Sequence, residues 1–272
     1  MEKFLVKKET NLKDFVSDQL KIPKKKAKEL IDSKNVFVNN KRVWISSHQL
    51  KKGDIVELYP PKQTEKWNIK NNIIYEDEFI IAVNKPPFLE SERKKGSVED
   101  LLRKYKKDTK IVAIHRLDRE TSGVLLFAKN KKILDKFKDL WRKKDVKKIY
   151  LAISHNEAEF KKKVINEPID KKYAKTFVVT KKTGNGFSLF EVEIVTGRKH
   201  QIRIHLAKIR YPIVGDKVYG LKNLTNPFIK NVKRQMLHAH KISFFHPFLK
   251  RKINITAKPL PDFENFRKSI KL

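Results

Sequence analysis

The chain has 272 residues, enough for one large domain or two smaller ones around a substantial core. It carries 64 Lys and Arg against 31 Asp and Glu, a formal charge of +33, yet 39% hydrophobic residues and 17 Phe argue against a disordered chain. No apolar run approaches the roughly 18 residues of a membrane helix, no secretory core follows Met1, and the lack of cysteine excludes a disulfide framework and thiolate–zinc sites.

A cytoplasmic chain, or one in an organellar matrix, is therefore expected. The charge invites a nucleic-acid partner. Only 12 of the 64 basic residues are Arg, however, and lysine in such excess also follows from biased codon usage. Composition leaves both explanations open.

Residues 1–58 read as a small unit. In residues 11–20, Leu12, Phe15, Val16 and Leu20 share one helical face. Pro23 then opens a second helix through Asp32, with Ala27, Leu30 and Ile31 on its apolar face and Lys24, Lys25, Lys26 and Lys28 on the other. Val36-Phe37-Val38, Asn39-Asn40 and Val43 read as strand, turn and strand, and Gly53-Asp54 turns into the strand Ile55-Val56-Glu57-Leu58. Two short helices with a basic face, a V-x-V-N hairpin and a GD turn resemble an S4 RNA-binding domain, with Asn40 where that family usually has glycine. Without the resemblance, the same pattern fits a generic helix–hairpin module.

Residues 59–72 are polar, with two prolines and no periodicity, which is linker composition. From Ile73 the pattern changes. Residues 73–75, 79–83, 111–114, 124–128 and 149–153 read as strands, while Ile133, Phe137, Leu140 and Trp141 fall at helical spacing. Residues 176–182 and 190–195 flank Thr183-Gly184-Asn185-Gly186, a hairpin signal. Successive strands with occasional helices predict an α+β fold on a largely antiparallel sheet.

The densest candidate for chemistry is His115-Arg116-Leu117-Asp118-Arg119-Glu120-Thr121-Ser122-Gly123, a polar loop between two apolar strands. Arg116 and Arg119 beside Asp118 favour its ionised form, and a carboxylate in that form can act as nucleophile or general base. The same residues also fit an ordinary salt-bridged turn. In residues 149–153 the alternation separates Tyr150 and Ala152 from Ile149, Leu151 and Ile153. Residues 200–209 place Ile202, Leu206 and Ile209 on a helical stripe with Arg203 off it, a position that also suits a surface or phosphate-binding arginine. His238 with His240 and His200 with His205 lack an accompanying carboxylate, so no metal site is expected.

H-R-L-D-x-x-T-S-G followed by an aliphatic strand resembles the signature of RluA-type pseudouridine synthases. Further blocks match in the family order: Val83-Asn84-Lys85-Pro86, Lys148-Ile149-Tyr150-Leu151-Ala152, Thr196-Gly197-Arg198-Lys199-His200-Gln201-Ile202-Arg203, Pro212 to Gly220, and Leu237-His238-Ala239. Five of eight glycines fall inside these blocks or the S4-like GD turn. The resemblance implies a pseudouridine synthase catalytic domain over 73–272. Asp118 would be the catalytic aspartate. Tyr150 would pack on the target base and act on its C5 proton, Arg203 would pair with Asp118, and Arg116 would help extrude the uridine. The loop after Pro86 departs from the family's glycine and histidine, and residues 154–164 lack its usual glycines.

The implied reaction is conversion of RNA uridine to pseudouridine after base flipping, which needs no cofactor and costs a few kcal/mol in unstacking. Large-subunit ribosomal RNA is the favoured partner because an S4-like domain precedes the catalytic region. tRNA-directed relatives share the motifs. A monomer away from membranes is expected. Two other classes remain in view: a non-catalytic RNA-binding or ribosome-assembly factor, and a metal-dependent nuclease using Asp118 and Glu120.

Overall fold

The computed structural model describes residues 2–32, 36–58, 67–143, 145–221, 229 and 232–272. The chain divides into two units, Met1–Trp67 and Asn68–Leu272. The expected linker, 59–72, straddles that division. Its residues 59–66 lie outside the described ones, and Lys70–Asn72 form a short 3-10 turn.

The first unit runs β1 (Glu2–Leu5), β2 (Thr10–Asn11), α1 (Leu12–Leu20), α2 (Lys24–Asp32), β3 (Val36–Val38), β4 (Lys41–Arg42), β5 (Gln49–Leu50) and β6 (Ile55–Leu58). Asn11 caps α1 by accepting the Asp14 N–H at 2.9 Å. Pro23 stands just before α2 rather than inside its first turn, and its carbonyl accepts from Lys26 and Ala27. The sheet order is β1-β6-β3-β4. Leu12, Phe15, Val16, Ala27, Ile31, Val36 and Val56 close the core between helices and sheet, leaving Lys24, Lys25, Lys26 and Lys28 exposed.

The β3–β4 turn uses Asn39 and Asn40 at φ 48° and 63°, the left-handed region that asparagine tolerates better than most residues. Asn40 thus fills a position suited to glycine. Asn39 also ties the hairpin to the GD turn: its Nδ2 donates to Asp54 and its Oδ1 accepts from the Ile55 N–H, each at 2.9 Å.

The second unit contains β7 (Ile73–Glu76), β8 (Ile80–Lys85), α3 (Val98–Lys106), β9 (Val112–Ala113), β10 (Ser122–Ala128), α4 (Lys131–Lys143), β11 (Val146–His155), β12 (Lys162–Ile165), β13 (Thr176–Gly184), β14 (Phe187–Ile194), α5 (Gln201–Lys208), β15 (Leu237–Phe245), β16 (Lys252–Thr256) and α6 (Pro261–Ser269). One sheet follows the order β12-β13-β14-β11-β15-β10-β8-β7, with β16 on β15 and β9 on β10. Its described pairings are antiparallel except β10–β15, so the α+β expectation holds. The strand expected at 111–114 shortens to the two residues of β9.

Two apolar clusters fill this unit. Phe190, Val192, Ile202, Leu206 and Phe263 belong to one, and Ile80, Leu126, Phe137, Ile242 and Phe244 to the other. Each such side chain contributes about 1.5–3 kcal/mol when fully buried. β10 is buried along all seven residues, which explains its apolar run from Val124 to Ala128.

The parallel β10–β15 contact joins the two halves of the sheet through Ser122 opposite His238 and Gly123 opposite Ala239. Gly123 sits at φ 115°, and a Cβ there would collide with the Ala239 backbone. Gly123→Ala should therefore destabilise the unit by about 2–4 kcal/mol, read as a lower urea midpoint with little change in slope.

Candidate active site

The segment between β9 and β10 carries Asp118 and is held almost residue by residue. The Leu117 N–H donates to Ser91 Oγ, and that hydroxyl donates back to the Leu117 carbonyl, both at 3.0 Å. The Arg119 carbonyl accepts from Lys85 Nζ at 3.0 Å and from the Phe88 N–H at 2.7 Å. The Glu120 carbonyl accepts from Arg234 at 3.3 Å, Thr121 Oγ1 from Gln235 at 2.6 Å, and Ser122 Oγ lies 2.9 Å from His238 Nδ1. Such over-determination fixes a loop as firmly as a strand.

Two of these supports are buried cations. Lys85, fully buried, also donates to the Pro86 and Leu89 carbonyls at 2.8 Å. Burial, with Arg234's charge nearby, pulls its pKa down to about 7, while its three carbonyl acceptors favour the ammonium form. Arg234 binds Asp262 through two nitrogens at 2.6 and 3.0 Å.

Asp118 itself stays accessible, its side chain 33% exposed. Arg203 Nη1 donates to its Oδ2 at 3.2 Å. The other edge of the same guanidinium grips Asp216, Nε to Oδ2 at 2.6 Å and Nη2 to Oδ1 at 2.8 Å. Asp216 is buried and accepts the Val218 and Tyr219 N–H groups as well. Burial alone would raise its pKa, but Arg203 and the two amides outweigh it and hold the carboxyl below its usual range. For Arg203 burial opposes the charge, and the two carboxylates more than restore it. The Tyr219 ring lies 5.1 Å from the guanidinium, and its hydroxyl is 3.1 Å from His200 Nδ1. His200 Nε2 lies 3.8 Å from Asp118, yet burial still lowers its pKa.

Tyr150, on β11, faces the same space. Burial and the Asp118 charge push its hydroxyl pKa up, so it remains a neutral phenol. Asp118, Tyr150 and Arg203 line a recess of about 110 Å³ with Ile194 and Leu237. That is room for about three or four waters or one small ring. The recess adjoins a cleft of about 1240 Å³.

The sequence-expected trio Asp118, Tyr150 and Arg203 thus converges. Arg203 is not a surface residue: off the Ile202–Leu206 stripe, it is only 7% exposed, because the Asp216 loop covers it. Arg116 and Arg119, expected beside Asp118, have their polar partners elsewhere among the described residues. Arg119 Nε donates to the Phe88 carbonyl, and Arg116, 73% exposed, lies 3.7 Å from Glu92. Lys24, Lys25, Lys26 and Lys28 belong to the other unit. Asp216, Lys85, Arg234 and His200 went unassigned from sequence, although Lys85, His200 and Asp216 lie inside the matching blocks.

The atypical loop after Pro86 is tied to the Asp118 loop. Phe88 adopts φ 67°, a left-handed conformation that costs a phenylalanine more than a glycine, and exchanges two hydrogen bonds with Arg119. His115 packs against Trp141, rings 5.6 Å apart, and accepts the Leu126 N–H at 3.2 Å. Burial and the Lys148 charge hold its pKa at about 4. His205 and His238 each have two protein partners. Among the described residues no group of three or more His, Asp or Glu could hold a metal ion.

Residues 79–208 match the family model described as RNA pseudouridylate synthase, and residues 11–56 match the S4 domain. The chain is 35% identical over 266 residues to ribosomal large subunit pseudouridine synthase C of Buchnera aphidicola subsp. Baizongia pistaciae, covering 84% of this chain and 83% of that protein. It is 37% identical over 244 residues to an uncharacterized RNA pseudouridine synthase of Helicobacter pylori, covering 84% and 91%. The solved human RNA pseudouridylate synthase domain containing 4 shares the fold, with a TM-score of 0.65 at 22% identity over 75% of this chain and 94% of that one.

The buried pair gives a stability prediction. Asp216→Asn leaves Arg203 short of a buried counter-charge and should cost about 3–5 kcal/mol at neutral pH. Because the folded carboxyl is depressed, its stabilisation is complete above the unfolded value and fades as pH falls below about 4. Urea melts of the two proteins should therefore converge in acid.

Proposed function

The chain belongs to the RNA pseudouridylate synthase family, and from that premise we propose that Asp118 is the catalytic carboxylate of an isomerase acting on large-subunit ribosomal RNA. The observation that carries this reading is the Asp118–Arg203–Asp216 array beside Tyr150. Pseudouridine formation breaks the N1–C1′ bond of uridine, turns the detached base, and joins C5 to C1′. N1 then carries a proton and C5 loses one. Attack on C1′ or removal of a C2′ proton would each use a carboxylate held beside the ribose. Arg203 provides that hold without closing the carboxylate off, since it uses one nitrogen for Asp118 and two for Asp216.

The neutral phenol of Tyr150 suits packing on the uracil ring. The recess lined by Ile194 and Leu237 would retain the base while its glycosidic bond is open. Arg116, exposed at the cleft, would enter the gap left by the extruded uridine. In the first unit Lys24, Lys25, Lys26 and Lys28 supply a basic face for RNA backbone.

Large-subunit ribosomal RNA is favoured over tRNA by the names of the Buchnera relatives and by the S4 match. The reading includes a monomeric, cytoplasmic enzyme without a cofactor, because isomerisation changes no oxidation state and adds no external group. A non-catalytic RNA-binding role has no need of the full Asp118, Tyr150 and Arg203 set.

The test uses transcripts of bacterial large-subunit rRNA and of tRNA, each tritiated at uridine C5. The chain should release tritium from the rRNA, and Asp118→Asn should reduce release to background. Undiminished release by Asp118→Asn refutes the assignment, and preferential release from tRNA moves the substrate.

A further inference from the structure

The cleft is far larger than the recess beside Asp118, and its outer part is built from different residues. There β9 and the following His115 face Leu134, Lys138, Trp141 and Arg142 of α4, with Lys148 of β11 between them and Tyr150. The geometry points to a second nucleotide subsite, in which Lys148 binds an RNA backbone phosphate and Trp141 stacks on the base next to the target uridine. This rests on RNA being the substrate, and it assigns the subsite that would seat the flanking nucleotide.

Lys148 and Tyr150 lie two residues apart on β11 and pair in unbroken register with Ile194 and Val192 of β14, so they project from one face about 7 Å apart, although the pairing with β15 slips by one residue between Ile149 and Tyr150. One sugar-phosphate unit of an unstacked strand bridges such a gap. Lys148 is half-buried, and among the described residues it has no carboxylate and no hydrogen-bond partner. Around it the two cations of α4 and four acidic residues of the cleft are matched. Lys138 pairs with Asp135 and Arg142 with Asp139. Glu90, Glu92, Glu99 and Glu120 each have a basic partner. A desolvated ammonium without a partner is costly, and a phosphate supplies the missing charge.

His115 does not meet that need, because it stays neutral beside Lys148. Burial also lowers the Lys148 pKa, with no opposing contact. Trp141 lines the cleft and is backed by the His115 ring at 23°. A supported indole beside a cation is the arrangement that holds unstacked bases without reading their sequence.

The experiment measures affinity for a bacterial large-subunit rRNA transcript across a range of KCl, together with tritium release. Lys148→Met should lower the slope of log K against log salt by about 0.7–0.9 and raise KM more than it lowers kcat. Lys148→Arg should keep the slope. Lys148→Met should melt no lower than wild type, since an unpaired desolvated charge is removed, and Lys148→Gln provides a second neutral variant. Trp141→Ala should weaken binding roughly 5- to 100-fold with the salt slope intact, and Trp141→Phe should recover most of it. A wild-type slope and KM in both neutral variants overturn the phosphate contact. Equal losses in Trp141→Ala and Trp141→Phe overturn the stacking. Tritium release by the unaltered chain tests the underlying activity separately from either result.

Discussion

The site depends on one guanidinium divided between two carboxylates. Arg203 is committed to Asp216 by two short hydrogen bonds inside the protein, and only its remaining nitrogen reaches Asp118. Asp216 is in turn fixed by two backbone amides of its own loop. The result is a cation that cannot follow Asp118 if that side chain moves. A surface arginine would lose such an arrangement to its own rotamer freedom.

Buried ion pairs are weak contributors to stability, because desolvation consumes most of the attraction. Their value here is positional. Arg203, Lys85 and Arg234 approach the Asp118 loop from three elements and hold a side chain, the Arg119 carbonyl and the Glu120 carbonyl respectively. A well-packed apolar set of equal volume could match their stability, but it could not aim a carboxylate into a recess. The loop remains open to solvent at Asp118 while its backbone is held like core.

The sheet makes this convergence feasible. β8, β10, β11 and β15 bring residues far apart in sequence to adjoining strand ends. Because β10 runs parallel to β15, the end of the Asp118 loop meets Gln235 and His238 directly. The close approach at Gly123 sets that contact, so the least bulky residue of the chain stands beside its most constrained loop. The excess lysine is largely peripheral to this machinery. Two lysines are drawn into the site by the fold, Lys85 buried under the loop and Lys148 half-buried in the cleft.

The sequence by itself determined the α+β class, the nine-residue block around Asp118, and the Tyr150 and Arg203 strand and helix. Alternation, helical spacing and turn residues are local properties, and they survive in the chain whatever it packs against. The same locality explains Asn39-Asn40, where two residues that tolerate positive φ are enough to read a turn. It also explains why Arg116 and Arg119 read as companions of Asp118, while their polar partners among the described residues are Glu92 and the Phe88 carbonyl. Only the tertiary structure decided that Arg203 is buried, that Asp216 is its principal partner, and that Lys85 and Arg234 brace two consecutive carbonyls of the loop. Those facts are pairings across 13 to 114 residues of chain, and no periodicity records them. A charged residue reads as solvated surface until a particular partner, brought by the fold, accounts for its charge.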